Sequence, residues 1–218
     1  MAHTLVCFAV KEEARPFQIG AARRSDIHVL ITGMGQRQAE RALRALLANE
    51  LPKLIVSSGF AGGLRPELKT GTVLFALDGQ PDLRAALRVA GGEPGRFHSV
   101  ERVAATVAQK RMLWDATRAD AVEMESDGIC AVCAEHKVPC AVVRVVLDAA
   151  NEDLPLDFNQ VLGADERIHY GKLALKVMKS PAKLRALWHL RKQSAAAAEK
   201  LADVLGKALL GLARSRPS

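Results

Sequence analysis

The chain has 218 residues, 49% of them hydrophobic and 25% charged, which fits one globular domain and excludes a fibrous, collagen-like or mostly disordered protein. No run approaches the roughly 20 apolar residues that a membrane-spanning helix requires. The net charge is +7, but residues 180–218 account for +6 of it, so we expect no basic nucleic-acid groove across the fold.

Strand and helix patterns alternate along most of the chain. Short apolar runs bounded by glycine, proline or charge predict strands at residues 3–10, 27–32, 54–58, 72–77 and 139–147. Helical periodicity predicts helices at residues 36–49, 81–89 and 127–136. The alternation predicts an α/β fold, in which a mainly parallel sheet carries helices on both faces.

The strand pattern stops after about residue 158, and helices are predicted at residues 166–178 and 181–213. The second helix has an apolar stripe, formed by Leu184, Leu187, Trp188, Leu201, Val204, Leu205, Ala208 and Leu212, with most basic residues off it. It either packs on the sheet with a solvated basic face or also contacts an anionic membrane surface. We expect one domain over residues 1–218, with residues 165–218 as a helical C-terminal extension.

The four cysteines, Cys7, Cys130, Cys133 and Cys140, are too few for a disulfide framework. Reduced thiols, and a beginning without a basic, cleavable leader, predict a cytoplasmic protein. Cys130 and Cys133 form a CxxC followed by His136, but no second ligand pair completes a zinc motif. We expect no metal and no cofactor.

Two glycine-rich segments follow predicted strands. The sequence TGMG at residues 32–35 precedes a helix, where backbone N–H groups either bind an anion or sugar or only form a tight turn. Gln38 stands where the dinucleotide fingerprint requires glycine, which argues against a nicotinamide or flavin site. The glycines of SSGFAGGL, residues 57–64, either allow a ligand to approach the backbone or only shape a loop.

Acidic residues follow or end several predicted elements: Glu12 and Glu13, Glu123 and Glu125 on either side of Met124, and Asp148. Because the carboxyl ends of parallel strands meet at one edge of a sheet, these acids can share a cleft, although a single acid there is usually a cap or a solvated charge. The apolar strand before Asp148 should raise the pKa of Asp148 by desolvation. Arg144 in that strand requires a buried partner that the sequence does not reveal.

Five segments carry a family resemblance in the same order: AVKEEA at residues 9–14, TGMG at 32–35, SGFAGGL at 58–64 with LKTGT at 68–72, AVEMES at 121–126, and residues 138–148. Together they resemble the purine and uridine phosphorylase family, and particularly its hydrolytic branch, the methylthioadenosine/S-adenosylhomocysteine nucleosidases. The resemblance implies a three-layer α/β/α sandwich of the nucleoside phosphorylase/hydrolase type, a homodimer, and cleavage of a purine nucleoside.

The resemblance also implies roles for individual residues. Glu13 would deprotonate the attacking water, and Asp148 would protonate or hydrogen-bond the purine N7. Such a division suits an oxocarbenium-like transition state, which needs a proton donor for the base and a nucleophile on the opposite face of the sugar. The implied substrate-binding positions are Gly35, Gly59, Phe60, Ala61, Val103 near the purine, Met124 against the ribose, and Glu125 on its hydroxyls.

Several departures from the family pattern bear on the reaction. The phosphorylases hold phosphate with an arginine and a serine where this chain has Ser57 and Phe60, which favours water, although Arg37 or Arg65 could substitute. Leu147 replaces the serine that commonly precedes the aspartate, and we expect this to leave Asp148 in a more apolar setting.

The segment between residues 77 and 96 is shorter than is usual in nucleosidases of this kind, which should leave the 5′ end of the site open. This openness, Phe60 and the basic tail resemble the branch associated with hopanoid lipid biosynthesis, whose substrate is an adenosylated lipid. The alternatives are a phosphate-dependent nucleoside phosphorylase and a catalytically weak binding module with a basic tail.

Overall fold

A computed structural model describes residues 3–155 and 181–214. The strands are β1 (Thr4–Phe8), β2 (Ile27–Ile31), β3 (Leu54–Gly63), β4 (Val73–Leu77), β5 (Glu93–Pro94), β6 (Phe97–Ser99), β7 (Ala121–Glu123) and β8 (Cys140–Asp148). The helices are α1 (Lys11–Ala21), α2 (Gln36–Leu47), α3 (Pro81–Val89), α4 (Val107–Thr117), α5 (Ser126–Glu135) and α6 (Pro181–Arg214). The helix predicted at residues 166–178 lies outside the described residues.

The eight strands form one mixed sheet with the order β2-β1-β3-β8-β4-β5. β1 is parallel to both β2 and β3, and β3 is parallel to β8, whereas β4 runs antiparallel to β8. β7 pairs with the end of β3, and β6 pairs with β7. The central strands β1 and β8 read as nearly continuous apolar runs because both of their faces are covered.

Helices cover both faces of the sheet and complete three layers. On one face, Phe17 of α1, Leu87 of α3 and Leu201 of α6 join the main apolar cluster. On the other face, Leu43 of α2 and Val132 of α5 pack against β1 and β3. The predicted three-layer α/β/α sandwich is therefore confirmed.

Helix α6 divides into two halves of different character. From Ala197 onward most of its apolar side chains pack in the main cluster, and Leu201, Val204 and Ala208 have no exposed surface, whereas Leu210 is exposed. In the first half, Trp188 is 64% exposed. None of the helices in the described ranges is long and apolar enough to cross a membrane.

The structure differs from the sequence prediction at β3, which continues to Gly63, whereas a loop was predicted after Ser58. The glycines stay extended because β8 and β7 supply hydrogen-bonding partners on the two sides of the strand. Helices α1 and α4 and strands β5, β6 and β7 were not predicted. The sequence does carry one signal for α4, a capping box in which Thr106 and Gln109 bond each other's backbone.

Candidate active site

Arg144 of β8 lies at the centre of the candidate site and is almost completely buried. Its Nη2 donates to Glu123 Oε2 at 2.6 Å and to Ser57 Oγ at 3.1 Å, and it lies 3.2 Å from Glu125 Oε2. Burial alone would lower the pKa of Arg144, but the neighbouring carboxylates Glu123, Glu125 and Glu13 raise it. These carboxylates are the partners that the sequence could not reveal.

Glu123 at the end of β7 is a structural member of this cluster. Its carboxylate accepts from the backbone N–H groups of Glu125 and Ser126, at 3.0 and 2.8 Å, and from the hydroxyls of Ser99 and Ser126. Burial raises the pKa of Glu123, but Arg144 and these hydrogen bonds outweigh that effect and lower it. Glu123 therefore stays ionised and fixes Arg144.

Gly59 makes room for the charged side chains. Its φ is +147°, and a Cβ there would lie 2.8 Å from Arg144 Nη1 and 2.9 Å from Glu13 Oε2. Any side chain would therefore collide with Arg144 or Glu13. Because Gly59 has no side chain, Arg144 and Glu13 can both approach the backbone of β3 at this position.

Glu13 lies in the first turn of α1, directly after β1. Its Oε2 accepts from the N–H groups of Ala9 and Val10 at 3.2 and 3.4 Å, and its Oε1 accepts from the N–H of Phe60 at 3.0 Å. Burial, followed by the nearby Glu125, raises the pKa of Glu13 to about 7, although Arg144 and the hydrogen bonds lower it. The neighbouring Glu12 is exposed and takes no part in the site.

Glu125 joins the cluster from the loop between β7 and α5. Its Oε1 accepts from the N–H of Gly35 at 2.9 Å, and its Oε2 contacts Arg144. Burial raises the pKa of Glu125, Arg144 lowers it, and the net shift is upward. The TGMG segment, with Gly33 and Gly35 at positive φ, thus aims a backbone N–H at a carboxylate of the protein itself.

Asp148 stands at the end of β8, beside Gly62 of β3. The pairing shifts there by one residue, since Ala61 faces Val146 but Gly62 faces Asp148, and Leu147 is the extra residue of a bulge. Gln193 of α6 donates to the carbonyl of Leu147 at 2.7 Å. Three residues along an extended strand span roughly 10 Å, which is the separation between the Gly59 and Gly62 ends of the site.

The surroundings of Asp148 correct one expectation. Leu147 was expected to leave Asp148 in an apolar setting, but the buried Lys110 of α4 forms an ion pair with the Asp148 carboxylate. Burial still raises the pKa of Asp148, while Lys110 opposes that effect. Lys110 was not predicted as a site residue, because α4 was not predicted and its polar side chains interrupt any apolar stripe.

The side chains at the other predicted positions are half-buried or lie in an apolar cluster. The ring of Phe60 is half-buried against the main core, whereas the side chain of Ala61 is buried in a separate cluster, so only its backbone could meet a ligand. Met124 is half-buried between Glu123 and Glu125. Val103 is also half-buried, in the connection between β6 and α4.

Within the described ranges, one group has ligand atoms close enough for a metal: His3, His28 and Glu50, near the starts of β1 and β2 and so at the opposite end of the strands from the site. The two imidazole rings stack with centroids 4.0 Å apart and planes at 27°, and His3 Nε2 and His28 Nδ1 each lie 3.6 Å from Glu50 Oε2, so the three side chains contact one another directly. The CxxC is not completed by its histidine, since His136 Nδ1 contacts the carbonyl of Val132 at 2.9 Å.

Comparison with known proteins identifies the family and the fold type of this chain. Residues 5–99 and 80–169 match the phosphorylase superfamily, and the chain belongs to that family. A 5′-methylthioadenosine/S-adenosylhomocysteine nucleosidase of Shewanella halifaxensis is 28% identical over 180 residues, covering 67% of this chain and 78% of the relative.

Solved structures share the fold at lower identity. The 5′-methylthioadenosine/S-adenosylhomocysteine nucleosidase of Campylobacter jejuni superposes with a TM-score of 0.68 at 16% identity, covering 96% of this chain and 99% of that one. The futalosine hydrolase of Helicobacter pylori superposes with a TM-score of 0.66 at 17% identity, covering 94% and 97%.

Proposed function

We propose that this chain hydrolyses the N-glycosidic bond of an adenosine-type purine nucleoside and releases the free base. One observation carries the proposal: the buried carboxyl of Glu13, with a pKa of about 7, is held against the backbone of Phe60 in β3, and a second carboxyl, Asp148, ends the neighbouring strand β8 opposite Gly62 of β3. The curated relative, a nucleosidase of two adenosine-type thioethers, supports this substrate class.

In this proposal the two acids act at opposite ends of the scissile bond. Asp148 donates a proton or a hydrogen bond to N7 of the purine while the bond between C1′ and N9 breaks. Glu13 accepts a proton from water as the water oxygen bonds to C1′ of the oxocarbenium-like sugar. Glu125 accepts hydrogen bonds from the ribose hydroxyls, and Met124 packs against the ribose.

The charges around Arg144 favour water over phosphate as the attacking group. Three carboxylates surround one guanidinium, so the cluster is net negative when ionised and repels a phosphate dianion. Arg65, one of the arginines that could substitute for the missing phosphate ligands, already pairs with Asp120 at 2.8 Å and lies 3.9 Å from Glu93. The other, Arg37, is exposed on α2.

Base release tests this proposal directly. Adenosine, methylthioadenosine, S-adenosylhomocysteine and futalosine are incubated with the protein in phosphate-free buffer and again with phosphate. We expect free base and free ribosyl product without phosphate. Release only with phosphate, together with a ribosyl 1-phosphate product, would instead establish a phosphorylase, and no release from any substrate would favour the binding module.

A lipid-linked nucleoside is the second candidate substrate. The exposed side chains in the first half of α6 favour it, because Trp188 lies there with Lys192 5.9 Å from the ring centroid, and Arg185 and Arg191 are exposed three residues before and after it. An amphipathic aromatic side chain flanked by cations suits an anionic membrane surface. Adenine release from an adenosylated lipid in vesicles, compared with release from methylthioadenosine, tests this candidate.

We also propose that the enzyme is a homodimer and works in the cytoplasm. The dimer follows from the family resemblance, and the four free cysteines suit a reducing compartment. Sedimentation equilibrium measures the assembly, and a mass near 23.5 kDa would show a monomer instead.

A further inference from the structure

Lys110 is a fully buried lysine whose ammonium group has a complete set of acceptors. Its Nζ contacts the Asp148 carboxylate, and it donates to the carbonyls of Ala149 at 2.8 Å and Glu152 at 2.6 Å. An ammonium group has three N–H donors, so the three contacts satisfy it. A lysine is rarely buried without such pairing, and its placement beside a candidate catalytic acid needs an explanation.

The same lysine connects helix α4 to the turn that follows Asp148. Around it, the N–H of Val107 donates to Asp153 Oδ1 at 2.6 Å, and the N–H of Leu154 donates to the carbonyl of Ala105 at 2.8 Å. Glu152 Oε2 accepts from the N–H of Ala149 at 3.1 Å. The carboxylate of Asp148 is therefore held by a cation that is itself fixed on a rigid support.

We propose that Lys110 is a positioning residue for Asp148: it fixes the orientation of the Asp148 carboxyl toward the purine base. Because its ammonium group contacts that carboxyl, Lys110 also favours the ionised form of Asp148. The inference rests on the proposed nucleosidase function. It assigns Lys110 no contact with substrate, and its effect on catalysis passes entirely through Asp148.

The charges that face Asp148 determine the direction of the effect. Lys110 faces it from α4 and Glu152 faces it from the following turn, while β3 presents the glycines Gly62 and Gly63. Lys110 lowers the pKa of Asp148 and Glu152 raises it, on top of the larger increase from burial. Replacing Lys110 by an uncharged residue removes the cation that opposes these increases, so Asp148 keeps its proton to higher pH.

The test compares Lys110→Met with Lys110→Arg and measures kcat and KM for base release from methylthioadenosine between pH 5 and 10. We expect Lys110→Met to lower kcat about 10- to 100-fold, with KM changed about threefold or less, and to move the alkaline limb of the kcat/KM profile upward by about one pH unit. Lys110→Arg should keep that limb in place because it keeps the charge. The control, Arg111→Met, removes a positive charge from the exposed face of the same helix.

Two further measurements distinguish positioning from general stability. Asp148→Asn with Lys110→Met removes both charges and should fold even where Lys110→Met does not, and its kcat should match that of Asp148→Asn alone. If adding Lys110→Met lowers kcat equally on both backgrounds, Lys110 does not act through Asp148 and the proposal is wrong.

A ligand-free measurement separates this inference from the proposed function. The carboxyl carbon of Asp148, assigned by its loss in Asp148→Asn, is titrated by NMR in the wild-type protein and in Lys110→Met. A pKa that rises in Lys110→Met supports the inference even if the wild-type protein cleaves no nucleoside. An unchanged pKa overturns the inference whatever the activity.

Discussion

The two ends of the candidate site hold their acids in different ways. At one end, Glu13, Glu123 and Glu125 surround the single guanidinium of Arg144, so negative charge exceeds positive charge. At the other end, Asp148 forms an ion pair with a single lysine, Lys110. Burial, and after it the neighbouring Glu125, explains why the pKa of Glu13 is raised to about 7. Burial also raises the pKa of Asp148, but there Lys110 is the cation that opposes the increase.

The largest effect should come from removing the shared cation. Arg144→Met leaves buried carboxylates without a counter-charge, and we expect the free energy of unfolding to fall by about 3–5 kcal/mol. Urea denaturation at pH 8 measures the loss. The combined Lys110→Met and Asp148→Asn variant removes a complete pair at the other end and should lose much less, so equal losses would contradict the comparison.

Next in size are the two proposed catalytic acids. Asp148→Asn removes a proton donor and Glu13→Gln removes a base, and each should lower kcat for base release by about 10²–10⁴. Glu12→Gln changes the exposed neighbour of Glu13 and serves as the matched control. Wild-type turnover by Asp148→Asn would show that another group protonates the base. Glu125→Gln should also raise KM, because it weakens binding of the ribose.

The pH dependence of Glu13 gives a third prediction. As a base it must be ionised, so kcat/KM should rise with pH up to a limb near pH 7, and Glu13→Gln should lack that limb. The stability effect has the opposite sign. Because the pKa rises on folding from 4.5 to about 7, the wild-type protein loses stability relative to Glu13→Gln as the pH rises through that interval.

Unfolding free energies at pH 4 and pH 8 measure this difference, which should grow by up to about 3 kcal/mol in favour of Glu13→Gln. A difference that stays constant between the two pH values would mean that the carboxyl has the same pKa in the folded and unfolded protein. The buried cluster would then not perturb Glu13.

Much of the fold was predictable from local pattern. The strands β1, β2, β4 and β8 are apolar runs with clear ends, and each was placed to within two residues. Helix α4 was missed because the buried Lys110 lies where an apolar residue would mark the inner face, although its capping box was visible. Strands β6 and β7 have three residues each, too few for a period to be recognised.

Those site residues that follow or end a predicted strand could be identified from the sequence alone. Glu13 and Asp148 follow or end apolar strands, and glycines beside them indicate close approach. What could not be predicted is which side chains meet across the sheet. Arg144 clearly needed a partner, but Glu123 and Lys110 reach the site from elements distant in sequence, and no local pattern encodes those contacts.

The smallest expected effect concerns the surface of α6. Its second half is part of the core, so deleting the helix would unfold the protein, and substitutions must replace truncation. We expect Arg185→Gln with Lys192→Gln to weaken sedimentation with anionic liposomes at low salt, since each cation near such a surface contributes about 1 kcal/mol. Lys200→Gln with Lys207→Gln makes the same charge change on the buried half and is the control.

High salt should abolish the difference between the two double variants, because screening removes the attraction of surface cations to anionic lipid. Trp188→Ser separates insertion of the aromatic ring from charge alone, since it leaves every cation in place. If both double variants sediment like the wild-type protein, the first half of α6 is only a solvated helix, and the structural support for a lipid-linked substrate over a freely diffusing nucleoside disappears.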